Sequence, residues 1–298
     1  MREAKISGVI YILLAGICWG FMGVPVRMLG EVGLASLDIC FIRAFITFLV
    51  MLIGLFIFDR SAFRIKIRDI WCFAGTGALS VAFFNFCYFK TMTLTSLSVA
   101  AVFLYTAPAF VMVMSAFLFK EKLTVQKLAA LGLAFLGCVF VSGIIGGAGA
   151  LSAAGILCGL GAGFGYALYS IFGRFAINRG YSSLTISFYT FLFAALATFF
   201  LTDAGRVVAA VTGNGSLFMK TVFWVLVVTL VPYLSYTKGL NSVENGKASV
   251  IASIEPVVAT VVGVLLYKEE MQIWNVLGIC LVLGSILLIY SKREKSDE

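Results

Sequence analysis

Ten apolar runs, each about as long as a bilayer is thick, alternate with short polar connectors along this chain. They occupy residues 8–28, 36–58, 70–90, 97–119, 126–145, 152–174, 182–201, 218–240, 247–267 and 272–290. A helix rising 1.5 Å per residue needs roughly 20 such residues to cross the hydrocarbon layer. With no water to bond, the backbone of a span must pair within itself, which a helix does. The runs are continuous, whereas a barrel would show alternating strands of about ten residues. The pattern predicts an all-α polytopic membrane protein with ten transmembrane helices. The first run follows Arg2 and Lys5 but is long for a leader and lacks a small-residue cleavage pattern, so it is expected to be a span.

The connectors carry the charge. Only 12% of residues are charged and 61% are hydrophobic, against about 25% and 45–50% in soluble domains. The net charge of +8 does not form a nucleic-acid footprint, because the cations lie in gaps between apolar runs rather than on one folded face. With the N-terminus placed inside, 16 of the 22 Lys and Arg residues fall on the inner side, among them Arg60, Arg64, Lys66, Arg68, Lys120, Lys122 and Lys127. The positive-inside rule then predicts that both termini are cytoplasmic in a cell inner membrane. The longest connection, from about Thr202 to Ser216, reads as a Gly-rich loop, and no soluble domain is inserted. All seven cysteines fall in apolar runs without metal-ligand spacing and are expected to be buried apolar residues.

The chain repeats itself at an offset of 148 residues. Tyr88, Lys90, Ala100, Val102, Pro108, Val113, Leu118, Lys120, Glu121 and Leu133 match Tyr236, Lys238, Ala248, Val250, Pro256, Val261, Leu266, Lys268, Glu269 and Leu281. The Gly-rich stretch 143–149 divides the halves, giving five-helix repeats over 1–148 and 149–298. Five is odd, so the second repeat enters from the opposite side and the two are inverted. Inverted repeats recur in secondary transporters, with the site near the midplane between the halves.

Trp19-Gly20 in the first helix, Pro108 in the fourth and Lys120-Glu121-Lys-Leu-Thr124 before a Gly-containing fifth helix form an ordered set. Glu255-Pro256-Val257 and Lys268-Glu269-Glu-Met271, followed by Gly278, form its counterpart. This set resembles the EamA-type repeat of the ten-helix drug/metabolite transporters, over nearly the whole chain. The second repeat opens differently, with Gly161-Ala-Gly-Phe-Gly165 where a Trp-Gly pair is typical. The resemblance implies a central cavity lined by the first, third, fourth, sixth, eighth and ninth helices, with the fifth and tenth peripheral. It also implies export of amino acids or related metabolites by alternating access.

Glu255 is the leading candidate site residue, because an acidic side chain inside a span costs a few kcal/mol and faces a cavity or a partner. It would bind a substrate amine or take up a proton, making protons a candidate coupling ion; a buried structural ion pair or a protonated, hydrogen-bonded Glu is the alternative. Its first-repeat equivalent is Ala107. Trp19, Asn85, Tyr88, Tyr105, Tyr166 and Tyr169 fall in helices that the resemblance places at the cavity. Tyr233 and Tyr236 follow Pro232 in the eighth. Such groups among apolar walls suit a small-molecule pocket, and they also suit interhelical bonds. Pro25, Pro108, Pro232 and Pro256 are expected to kink their helices. Arg43 either snorkels outward or pairs with Asp38 or a substrate carboxylate, and Arg27 and Lys90 are expected to snorkel. The two Lys-Glu pairs are expected to end the fourth and ninth helices.

No phosphate-binding loop, nucleophile elbow or zinc motif is present, and there is no histidine. No cofactor is expected and no enzymatic role. The partners expected are a small-molecule substrate and membrane lipid. Alternative readings are an uptake permease or a non-transporting scaffold subunit.

Overall fold

A computed structural model describes residues 2–143 and 152–291. The dividing stretch expected between the repeats falls largely outside the described residues. Ten helical segments follow the ten apolar runs. They are α1 (Ile6–Gly30), α2 (Ser36–Phe58), α3 (Ile67–Leu94), α4 (Ser98–Phe119), α5 (Val125–Val141), α6 (Ala153–Asn178), α7 (Ser183–Phe199), α8 (Gly215–Leu240), α9 (Asn245–Tyr267) and α10 (Ile273–Tyr290). Eight are long and apolar enough to cross a membrane unaided. The fifth, α5, is a shorter apolar helix, and α7 bends by 112° into a short helix, Ala204–Thr212.

That short helix corrects the expectation of a loop between Thr202 and Ser216. Asp203 caps its first turn through the Arg206 amide at 3.0 Å. Val207 and Val211, one turn apart, bury fully against Leu29, Ile42 and Val225. Four residues between apolar positions is helical spacing, so the segment lies on the bundle as an amphipathic turn rather than looping free.

Each proline follows a helix break. Pro25 lies in the first turn of Gly23–Gly30, after an interruption at Phe21 and Met22. Pro108 opens Ala107–Phe119 after Tyr105 and Thr106, and Pro256 opens Ile254–Tyr267 after Ser253. Pro232 opens Val231–Leu240 directly after a π-helical stretch, Leu226–Leu230. Proline lacks the N–H that an interior position would use, and its ring clashes with the carbonyl four residues back. In the first turn that N–H has no helical partner in any case.

The halves match closely at the breaks. Leu97–Leu104 in α4 corresponds, at the same offset, to Asn245–Ala252 in α9, and Ala107–Phe119 and Ile254–Tyr267 end in register, with the break one residue shorter in α9. Both helices end on a left-handed lysine, Lys120 at φ 56° and Lys268 at φ 55°. The packing respects the exchange. Helix α1 lies against α8 and α9, just as α6 lies against α3 and α4, while α2 meets α7, α4 meets α9 and α5 meets α10. Each contact has its counterpart when the halves are swapped, as a two-fold axis requires.

Helices α5 and α10 cross closely at Gly137 and Gly278, at the edge of the bundle. A methyl on Gly137 would stand 2.8 Å from the Gly278 carbonyl oxygen, and one on Gly278 would stand 2.6 Å from that of Gly137. Not every cysteine is buried as expected. Cys18, Cys40, Cys72, Cys87 and Cys138 are, but Cys158 is half-buried and Cys280 is exposed on the outer surface of α10.

Candidate functional site

Two cavities meet at Tyr166 in the middle of the bundle. One is lined by Trp19, Ser80, Phe84, Tyr166, Tyr169, Ser170, Tyr233 and Tyr236. The other is lined by Tyr105, Pro108, Tyr166, Ser249, Ser253 and Glu255, with Leu104, Ala107 and Ala252. Each has a volume of about 20 Å³, roughly the room a single water needs, so the helices stand closed around the site. The walls come from α1, α3, α4, α6, α8 and α9, the helices the resemblance names.

The helix breaks bring these groups together. The interruption in α9 lies at Ser253, and Glu255 falls in the first turn of the next segment, where it shares a cavity with Tyr105, Ala107 and Pro108 at the break in α4. Helix α1 approaches because Gly20 has no side chain. A methyl there would stand 2.5 Å from Val258 Cβ and 2.9 Å from the Glu255 carbonyl oxygen.

Glu255 accepts a hydrogen bond from the Tyr166 hydroxyl at 3.1 Å. No Lys or Arg lies within ion-pair distance of it among the described residues. A carboxylate has room for about four hydrogen bonds, so most of its capacity faces the cavity. Three other hydroxyls of the first cavity wall are already engaged. Tyr169 shares a bond with Thr237 at 2.7 Å, and Tyr236 one with Ser170 at 2.8 Å. Trp19 lies with its ring centroid 5.4 Å from those of both Tyr233 and Tyr236, and Tyr169 packs edge-on to Tyr233 at 4.9 Å. Edge-to-face packing at these distances locks ring orientation. The result is a fixed aromatic wall beside a single underbonded carboxylate.

Seven of the nine candidate binding residues line the two cavities: Glu255, Trp19, Tyr105, Tyr166, Tyr169, Tyr233 and Tyr236. The other two stand back. Asn85 donates to the Val81 carbonyl of its own helix at 2.7 Å, and Tyr88 packs on Phe84 with centroids 5.7 Å apart. Ser80, Ser170, Ser249 and Ser253 also line the cavities, beyond the residues expected from the sequence. The spacing of Ser249 and Ser253, one turn apart and just ahead of Glu255, was the signal available.

Arg43 does not pair with Asp38. Its Nε donates to the Thr229 hydroxyl at 3.0 Å. Asp38 instead accepts from Arg206 at 2.6 Å and from the Ala35 amide at 3.0 Å. Arg27 pairs with Glu269 and lies 3.9 Å above the Tyr267 ring.

The sequence matches the EamA-like transporter family twice, over residues 6–143 and over 153–291. An uncharacterized transporter of Archaeoglobus fulgidus is 28% identical over 94% of this chain and 94% of its own length. One from Clostridium kluyveri is 24% identical over 98% of this chain and 96% of its own. An uncharacterized inner membrane transporter of Salmonella typhimurium, YicL, is 24% identical over 95% of each. A solved crystal structure superposes with a TM-score of 0.77 over 98% of this chain and 97% of that one, and at 17% identity it speaks for the fold alone.

Proposed function

The chain belongs to the EamA-like transporter family, and from that premise we propose that it is a secondary transporter for a small polar metabolite bearing an amino group. An amino acid or a related compound fits best. In this reading the cargo crosses the cytoplasmic membrane by alternating access, outward, and both termini face the cytoplasm. Glu255 holds the cargo's ammonium group, and the aromatic wall of Trp19, Tyr166 and Tyr233 receives its apolar part.

The observation that carries the reading is the Glu255 carboxylate. It faces a cavity inside a membrane-spanning helix with one hydroxyl donor and, among the described residues, no Lys or Arg within ion-pair distance. Leaving a carboxylate so underbonded in the membrane is costly, and an ammonium ion supplies both the charge and the missing donors. When the cavity is empty a proton meets the same need, so protons are the natural exchange ion.

The test is thermal unfolding of the purified protein with a panel of amino acids, amines, nucleosides and sugars. A ligand at 100 times its Kd stabilises the folded state by about 2.7 kcal/mol. A rise in Tm for amine-bearing compounds that disappears in Glu255→Gln is expected. A response to sugars or nucleosides that survives in Glu255→Gln would overturn the assignment of Glu255.

A further inference from the structure

A second cluster of charged side chains lies away from the cavity, where α4 ends and α9 begins. Glu121 follows the left-handed Lys120 and reaches across to the other repeat. Its two oxygens accept the amides of Asn245 at 2.8 Å and Gly246 at 3.1 Å, capping α9. Lys127, only 3% exposed, lies between two carboxylates, 3.7 Å from Glu121 and 3.0 Å from Glu244. Arg174 of α6 donates to the Asn245 side chain at 2.9 Å and also to the Val243 carbonyl. Asn245, fully buried, donates in turn to the Ser170 carbonyl at 3.3 Å. Ser170 lines the cavity and holds Tyr236. The cluster therefore ties α4, α5, α6 and α9 together directly behind the cavity wall.

The same positions in the other repeat are built differently. At the offset of 148, Glu121 corresponds to Glu269, Lys127 to Asn275, Glu244 to Ser96 and Asn245 to Leu97. Ser96 caps its own helix through the Val99 amide at 3.2 Å, so α4 needs no cap from across the interface. Asn275 serves locally, accepting the Gln272 amide at 2.9 Å and donating to the Val141 carbonyl at 3.1 Å. Glu269 is left with Arg27, and both side chains are 49% exposed. One end of the bundle has a buried network joining four helices. At the corresponding positions the other end has one exposed ion pair, with the Asp38–Arg206 pair lying apart on α2 and the short helix.

We propose that the Glu121, Lys127, Glu244, Asn245 and Arg174 cluster is a latch that closes the cavity at one end, and that the Arg27–Glu269 pair is its weaker counterpart at the opposite end. The inference rests on the alternating-access reading above. The asymmetry sets the resting state. With the latch formed, the cavity opens only toward the Arg27–Glu269 end, and reaching the other state requires α9 to leave Glu121. Exposed pairs hold little, whereas a buried charge network must be broken as a unit. Cargo seated against Tyr236 and Ser170 lies one residue from Asn245, so binding and latch release share a wall.

The test exchanges residues between the ends. In a chain with its seven native cysteines replaced, Ser253→Cys places a thiol in the cavity. Its labelling by a membrane-impermeant maleimide is timed in right-side-out and inside-out vesicles. Lys127→Asn with Glu244→Ser installs the residues that the other repeat carries, and it leaves the net charge unchanged. Labelling from the latch end is expected to rise about fivefold or more. The converse pair, Asn275→Lys with Ser96→Glu, is expected to slow labelling from the opposite end. Parental labelling rates in both folded pairs would overturn the proposal, as would a thiol closed to both sides throughout. If the first pair fails to fold, the converse pair decides alone. Labelling reads access and not cargo, so a ligand panel without response would count against the proposed function and leave the latch standing.

Discussion

Replacing Gly137 with alanine pushes a methyl into the close crossing of α5 and α10, while the same change at Gly132 meets nothing. The added carbon at Gly137 lies 2.7 Å from Val282 Cγ2, 2.8 Å from the Gly278 carbonyl oxygen and 2.9 Å from the Val282 amide nitrogen. Carbon contacts are favourable at about 3.5–4.0 Å, so α5 and α10 must separate by roughly 0.7 Å or more. Two of the three atoms are backbone and cannot rotate away. Overpacking of this kind costs about 1–3 kcal/mol, and the backbone contacts put Gly137→Ala in the upper half of that range. Alanine returns about 1 kcal/mol by its better helix propensity, leaving a net loss of about 1–2 kcal/mol. Gly132, in the same helix, has no atom within 4 Å of its built methyl, so only the propensity gain remains. At roughly 2–4 °C per kcal/mol, Gly137→Ala should lower Tm by about 2–8 °C and Gly132→Ala should raise it by about 2–4 °C. Thermal unfolding in detergent, followed by fluorescence, reads both. Equal shifts of the same sign would refute the packing argument.

Three further outcomes follow from the charges and from Tyr166. Lys127→Met leaves Glu121 and Glu244 facing each other behind an apolar side chain. It should cost about 2–4 kcal/mol, discounted from the buried-pair range because Glu244 is 45% exposed, whereas Arg27→Gln should cost less than about 1 kcal/mol; unfolding of the two variants side by side checks the ranking. Burial pushes the Glu244 carboxyl up, but its hydrogen bond to Lys127 and the charges of Lys127 and Lys247 outweigh this and hold it below its ordinary 4.5. A depressed carboxylate stabilises the fold above its unfolded value and loses that contribution as pH falls through the folded one. The Tm gap between the parent and Glu244→Gln should therefore be full above about pH 4.5 and close below it, as a Tm series in pH would record. Tyr166→Phe removes the one donor to Glu255 among the described residues and leaves its ring in place. It should alter ligand affinity in a binding titration by roughly fivefold or more, the scale of a charged hydrogen bond of about 1.5–3 kcal/mol, with little change in Tm.

The hydrophobic pattern foretold the ten segments because a bilayer imposes one length and one polarity on all of them. The prolines marked the breaks for an equally local reason, as Pro108 and Pro256 lack the amide that an unbroken helix would use. The short helix at Ala204–Thr212 was hidden by its glycines and polar flanks. Its two inward valines earn their place only against α1, α2 and α8. Partners distant in the chain were not legible at all. Asp38 and Arg206 lie 168 positions apart, and nothing near Asp38 separates that pairing from one with Arg43. Glu255 stood out because a charge in an apolar run is conspicuous. Ser249, Ser253 and Ser80 did not, since a small hydroxyl inside a helix usually bonds its own backbone. Ser249 and Ser253 do so, on Gly246 and Ser249, and Asn85 likewise spends its amide on Val81.

Counterflow in proteoliposomes tests the central claim most directly. Vesicles loaded with an unlabelled amine-bearing metabolite that raises Tm are diluted into a trace of the same compound, radiolabelled, with the parent protein and with Glu255→Gln. Transient accumulation of label is expected with the parent and none above empty vesicles with the variant, at equal reconstituted amounts of folded protein. Accumulation by Glu255→Gln at the parent's rate would contradict it.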